Sequence, residues 1–133
     1  MKHIAILVPD GQTSLTTIAC ITGAYEIFSR ANSYSEEMFS KTGYKVDLVG
    51  VSKATHFENG MLTVNPHILF SDLKATNLII VPCLARNFEK AVEGNVPMAN
   101  WIMDQYKNGA EVASMCTGAY MLAAAGLLDD KNC

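Results

Sequence analysis

The apolar positions of this chain fall into runs that alternate between two periods. Residues 2–8, KHIAILV, form a near-continuous apolar run, the pattern of a strand buried on both faces. The PDG at 9–11 breaks it. From Thr13 to Ala31 the apolar residues recur at helical spacing, at Leu15, Ile18, Ile21, Ala24, Tyr25 and Phe28, with Thr13 or Ser14 as the cap. Residues 44–52, YKVDLVGVS, predict a second strand. Residues 56–67 hold an Asn-Gly pair between β-prone stretches, a hairpin signal. NLIIVPC at 77–83 reads as the next core strand. RNFEKAVEGN and PMANWIMDQYKNG then predict two short helices, with Pro97 in a first turn and Gly109 at a C-terminal cap. AEVASM at 110–115 predicts another strand, and 117–126 another helix closed by Gly126.

Strand–helix–strand repetition implies an α/β fold, with a mostly parallel sheet and helices on both faces. The chain has 133 residues and shows no repeat, low-complexity tract or linker, so one domain over 1–133 is expected. In such sheets ligands bind beyond the carboxyl ends of the strands. That places a candidate site near Pro9–Gly11, Pro82–Arg86 and Cys116. Asp10 reads equally well as a pocket residue or as a turn residue before Gly11. Arg86 and Asn87 could touch a ligand, and helix capping explains Asn87 as well. Trp101, Met103 and Tyr106 read as helix packing.

Composition narrows the function classes. Half the residues are hydrophobic and the net charge is −3, which fits a compact soluble protein. The basic residues are scattered, so the segment itself is not expected to grip nucleic acid. No apolar run is long enough to span a bilayer, and the N-terminus lacks signal-peptide features, so no membrane partner and a cytoplasmic location are expected. The four cysteines, Cys20, Cys83, Cys116 and Cys133, form no CxxC pair and no finger-like spacing with His3, His56 and His67. Reduced thiols, with neither metal nor cofactor, are the expectation.

Ser114-Met115-Cys116-Thr117-Gly118 has the form small–x–nucleophile–x–small between a strand and a helix. That is the spacing of a nucleophile elbow, where the tight turn demands small residues two before and two after the central one. A thiol there points out of the turn, toward helix N–H groups that favour negative charge and could hold an oxyanion. A buried structural cysteine at a strand end is the alternative.

GAEVASMCTGAYMLAAAGLLDDKNC resembles the ThiJ/PfpI superfamily, whose fold is that of the class I glutamine amidotransferases and is flavodoxin-like. More narrowly it resembles the N-terminal domain of AraC-type transcriptional regulators. GAYEIFSRAN at 23–32 and the stretch from NLIIVPC to the cysteine extend the likeness. In catalytic relatives an acid on the first helix assists the cysteine. Here the resembling position is Cys20, and Glu26, about 600° further round the helix at ~100° per residue, faces elsewhere. The family continues beyond GLLDDKNC with a histidine-containing segment and one more strand–helix unit, so the domain is expected to be incomplete at its C-terminal end. In the regulators a helix-turn-helix domain would follow, outside this chain. Relatives often place glycines after the third core strand, where this chain has Pro82-Cys83-Leu84-Ala85.

The resemblance implies a regulatory domain that binds a small-molecule effector near Cys116, with Asp10, Gly11, Cys20, Cys83, Leu84, Thr117 and Gly118 as candidate ligand-binding residues. It also implies a homodimer that reaches DNA only through the separate domain. The rival is a cysteine-dependent hydrolase or lyase with Cys116 as nucleophile. A third reading is a redox sensor pairing Cys116 with Cys20 or Cys83.

Overall fold

In the computed structural model, residues 1–11, 14–39 and 43–132 are described. The first strand, β1 (Lys2–Val8), is the centre of the molecule. Its residues alternate between two cores: Ala5 and Leu7 face one way, Ile4, Ile6 and Val8 the other, and all are buried. This is the two-sided burial that its unbroken apolar run predicts.

α1 (Leu15–Phe39) follows. The Ser14 carbonyl accepts the N–H groups of Thr17 and Ile18, which sets the first turn, while Thr13 lies outside the described residues. The helix runs well past Ala31, because no glycine or proline interrupts it before Gly43. Ile21 and Ala24 are buried on the sheet side, with Ile18, Tyr25 and Phe28 beside them. Leu15 is exposed despite its place in the apolar period. The Asn32 side chain accepts from the Tyr44 N–H and donates to the Tyr44 carbonyl, pinning the start of β2 (Tyr44–Gly50).

β3 (Thr55–Phe57) and β4 (Leu62–Val64) form the antiparallel hairpin, turning through Asn59 (φ 55) and Gly60 (φ 84). Fully buried Phe57 packs the hairpin against the α1 side of the sheet. A two-residue strand, β5 (Ile68–Leu69), pairs with β2 and is too short to read from periodicity. β6 (Leu78–Val81), α2 (Phe88–Glu93), α3 (Val96–Lys107), β7 (Glu111–Ser114) and α4 (Ala119–Ala124) complete the described elements. Pro97 lies in the first turn of α3, and Gly109 and Gly126 take φ of +98 and +79 just past α3 and α4.

The five-stranded sheet has the order β5-β2-β1-β6-β7, parallel throughout. With β5 set aside, β2-β1-β6-β7 matches the first four positions of the flavodoxin-like order. Met98, Ala99, Ile102, Met121 and Leu122 of α3 and α4 close one face, and α1 with the hairpin closes the other. Trp101 packs edge-on against Phe70, with ring centroids 6.2 Å apart, as the helix-packing reading expects. Tyr106 departs from that reading: it lies on the outer side of α3 and is exposed.

At the amino ends of the strands a polar cluster fixes β1 against its neighbours. His3 Nε2 and Lys45 Nζ approach Asp47 Oδ2 at 3.0 and 2.8 Å, and His3 Nδ1 meets Thr76 Oγ1 at 2.8 Å. His67 Nδ1 accepts the Leu48 N–H at 3.0 Å, so it has no hydrogen to give Asp47 from 3.5 Å away. Burial alone would raise the Asp47 carboxyl, but the hydrogen bonds and charges of Lys45 and His3 outweigh it and hold the group below its usual value. A carboxyl lowered on folding stabilises the native state above the unfolded pKa, and that gain is lost as pH falls through the folded value. Asp47→Asn is therefore expected to cost on the order of 1–3 kcal/mol at neutral pH. The gap from the parent should shrink as pH drops below ~4, measured by urea unfolding along a pH series.

Candidate functional site

β7 ends at Ser114, and the chain turns within four residues into α4. Met115 is still extended and its N–H donates to the Val81 carbonyl at 2.9 Å. Cys116 then takes φ +49, in the left-handed region that non-glycine residues rarely occupy. Holding it there costs of order 1–3 kcal/mol, which the surrounding contacts must offset. Cys116–Gly118 form a 3-10 turn that leads into the helix, and the Cys116 side chain is exposed.

Gly118 shows why the corner needs a small residue. Its φ is an ordinary −56°, so left-handed freedom is not the reason. A Cβ at this position would lie 2.5 Å from the Pro82 carbonyl oxygen and 2.7 Å from that of Val81. The corner is thus seated directly on the end of β6. Thr117 completes the contact: the Leu84 N–H donates to its Oγ1 at 2.9 Å, and its hydroxyl donates to the Leu84 carbonyl at 3.0 Å.

An open cleft of about 1250 Å³ lies at the carboxyl ends of the strands. Of the residues singled out from the sequence, Gly11, Cys83, Leu84, Cys116 and Thr117 line it, as does Arg86. Asp10, Cys20 and Gly118 are not among its lining residues. Asp10 is a structural hub: its carboxylate accepts from Ser52 and, at 3.0 Å, from Thr55, tying down the approach to the hairpin. Its main chain exchanges hydrogen bonds of 2.9 and 2.8 Å with buried Asn95 between α2 and α3. Glu26 pairs with Arg30 on the exposed side of α1, away from the cleft. Asn87 caps α2 by accepting the Lys90 N–H at 3.3 Å.

The thiols differ sharply. Cys83 is buried, its carbonyl accepts the Thr17 hydroxyl at 2.9 Å, and its thiol lies 3.9 Å from the same oxygen. Burial, then a hydrogen bond with Cys20, push the Cys83 thiol up to about 11, against a smaller opposing effect of Thr17. Cys133 lies outside the described residues. Among the described residues, no three His, Cys, Asp or Glu side chains are placed to hold a metal ion, and no helix is long and apolar enough to cross a membrane.

Sequence reasoning left the hairpin out of the site. His56, Glu58, Asn59 and Gly60 line the cleft opposite Cys116 and Thr117. His56 Nδ1 is held by Thr63 Oγ1 at 2.9 Å. The Asn-Gly turn is legible, but its packing over the sheet's carboxyl end depends on Phe57 entering the α1-side core.

The model of the DJ-1/PfpI family matches residues 17–133. No curated protein matches the chain. Three solved structures are similar in fold. A protein assigned as a transcriptional regulator in Vibrio parahaemolyticus has a TM-score of 0.78 at 22% identity, over 96% of this chain and 63% of its own. A ThiJ/PfpI family protein from Pseudomonas syringae has a TM-score of 0.71 at 22% identity, over 95% and 46%. An AraC family transcriptional regulator from Pseudomonas putida has a TM-score of 0.64 at 16% identity, over 100% and 65%. The chain therefore spans less than two thirds of each of these relatives.

Two outcomes follow from the site geometry. Gly118→Ala should destabilise by roughly 1–3 kcal/mol or more, because backbone carbonyls must move to admit the methyl group; chemical denaturation checks this. Iodoacetamide at pH 8 should modify Cys116 at least ~100-fold faster than Cys83, since Cys83 is both shielded and almost wholly protonated there. Peptide mapping over time reads the difference, which should vanish in denaturant.

Proposed function

The chain belongs to the DJ-1/PfpI family, and on that premise we propose that residues 1–133 are the small-molecule-sensing part of an AraC-type transcriptional regulator. In this reading a metabolite enters the cleft beside Cys116, in the cytoplasm, and changes the shape of a homodimer. The change reaches DNA through a helix-turn-helix domain outside this chain. Two of the similar structures are described as transcriptional regulators, one of them of the AraC family.

The observation that carries the reading is the state of the groups around Cys116. A catalytic cysteine needs a base, an orienting group and oxyanion donors. The N–H of Leu84, which lines the cleft with Cys116, is engaged by Thr117. The family's acid position holds Cys20. What remains is an accessible cleft with a thiol, the Arg86 guanidinium and the polar hairpin edge, which suits recognition better than turnover. The elbow then acts as a rigid platform for a ligand contact rather than as an activated nucleophile. Signalling requires that the effector bind two conformations unequally.

A thermal-shift screen of small anionic and neutral metabolites tests this. A true effector at ~100 times its Kd should stabilise the domain by about 2.7 kcal/mol, shielding Cys116 from iodoacetamide as it does so. Arg86→Ala or Cys116→Tyr should remove the shift. Turnover of the same compound, lost in Cys116→Ser, would replace the sensing reading with the hydrolase or lyase.

A further inference from the structure

The corner that exposes Cys116 also sets it beside Cys83. Val81 pairs with Ser114 across β6 and β7, and Met115 N–H still bonds the Val81 carbonyl. Cys83 and Cys116 therefore each stand two residues beyond a paired position, and Leu84 and Thr117, the next residues along, are joined by two hydrogen bonds. Neighbouring strands run about 4.8 Å apart, within the ~4.4–6.8 Å Cα separation that a disulfide spans. Both cysteines line the same cleft, one exposed and one buried. Cys116 is close enough for its charge to act on the Cys83 thiol, and Cys20 touches that thiol from the α1 side.

We propose that Cys116 and Cys83 form a peroxide-responsive thiol pair, with Cys116 as the thiol that meets the oxidant and Cys83 as the thiol that captures the product. In the first step the Cys116 sulfur attacks one oxygen of a hydroperoxide. The O–O bond breaks, an S–O bond forms, and the second oxygen leaves as water or an alcohol once protonated. Two electrons pass from sulfur to the peroxide, giving a sulfenic acid. In the second step the Cys83 sulfur attacks the Cys116 sulfur. The S–O bond breaks, the S–S bond forms, and hydroxide leaves as water with the proton that Cys83 released. Two thiols and one hydroperoxide thus give one disulfide, one water and one water or alcohol, and a dithiol reductant reverses the change by exchange.

The surroundings assign the roles. Among the described cysteines Cys116 is exposed, Cys20 half-buried and Cys83 buried, and of these Cys116 and Cys83 line the cleft. Because burial and Cys20 keep Cys83 protonated to about pH 11, the second step is slow at neutral pH and quickens as pH rises. The inference does not depend on a metabolite effector, because it needs only the two sulfurs and a hydroperoxide.

The test is one equivalent of hydrogen peroxide on the full chain, with and without Cys133→Ser, followed by non-reducing tryptic mapping. Cys20, Cys83 and Cys116 fall on separate peptides, 3–30, 75–86 and 108–131. The expected product links 75–86 to 108–131 and disappears with dithiothreitol. Its formation from the sulfenic acid should accelerate about tenfold per pH unit between ~7 and ~9. Cys83→Ser, or Cys83→Ala if the serine variant loses its circular dichroism, should raise dimedone trapping at Cys116 at least fivefold, relative to the parent. Linkage through Cys20, linkage only between molecules, an unreactive Cys116, or equal dimedone trapping with and without Cys83 would each overturn the proposal. If neither Cys83 variant folds, the linked peptide of the parent chain decides alone.

Discussion

The site depends on one close approach: Gly118 against the carbonyls of Val81 and Pro82. A parallel strand must hand over to its helix at the carboxyl end of the sheet, and here the handover takes only four residues. The turn fits because nothing larger than hydrogen intervenes between the corner and the end of β6. Once seated, the corner brings Thr117 within reach of both main-chain groups of Leu84. The same seating holds Cys116 at positive φ, with its side chain in the cleft. Strain at one residue is sustained because its neighbours on both sides are fixed, as strained positions in proteins generally require.

The fold was legible wherever a local signal and the tertiary outcome agree. The unbroken apolar run of β1 means burial on both faces, and Ile4 through Val8 alternate between the two cores accordingly. Asn59-Gly60, Pro97, Gly109 and Gly126 mark turns and helix ends through backbone conformations that few other residues tolerate. The Cys116 corner was legible from its small–x–Cys–x–small spacing, although the demand for a small residue at Gly118 comes from the Val81 and Pro82 carbonyls, distant in the sequence. What escaped the sequence was set at a distance. α1 extends past its amphipathic segment because nothing ends it. β5 is held by two ladder positions on β2 rather than by its own pattern. Leu15 and Tyr106 keep the helical period yet are exposed, Leu15 where it lines the cleft, since periodicity defines a face but not what covers it.

The candidate site divides along the same line. Thr117, Leu84, Cys83 and Gly11 follow from topology, because a parallel sheet gathers its strand ends in one place. Asp10 occupies such an end, but its carboxylate answers two hydroxyls, from Ser52 and Thr55, and so faces the hairpin base instead of the cleft. Sequence position placed it at the right end of the sheet; the hydrogen-bonding demand of its neighbours fixed its direction. His56 and Glu58 are the converse case. Nothing in their spacing to Cys116 relates them to it, and they reach the cleft because Phe57, between them, is drawn into the core.

These contacts also bear on how a change in the cleft would travel. The β6–α2 loop carries Cys83, Leu84, Arg86 and the Asn87 cap; the β7–α4 corner carries Cys116 and Thr117. Two links join them: the paired Leu84–Thr117 hydrogen bonds, and the stacked rings of Phe88 and Tyr120, 3.7 Å apart and 8° from parallel. Anything that pulls Cys116 and Cys83 together, or wedges them apart, acts on the seam these links hold closed. The loop cannot shift without taking the cap of α2, and the corner cannot shift without taking the first turn of α4. Both helices present their buried sides to the same core, at Ala91 and Met121. Close-packed interiors transmit strain, so in the sensing and thiol-pair readings proposed above a displacement at the thiols would be passed to α2 and α4 together. The seam is the route by which a contact at one residue would reach the outer surface of the domain.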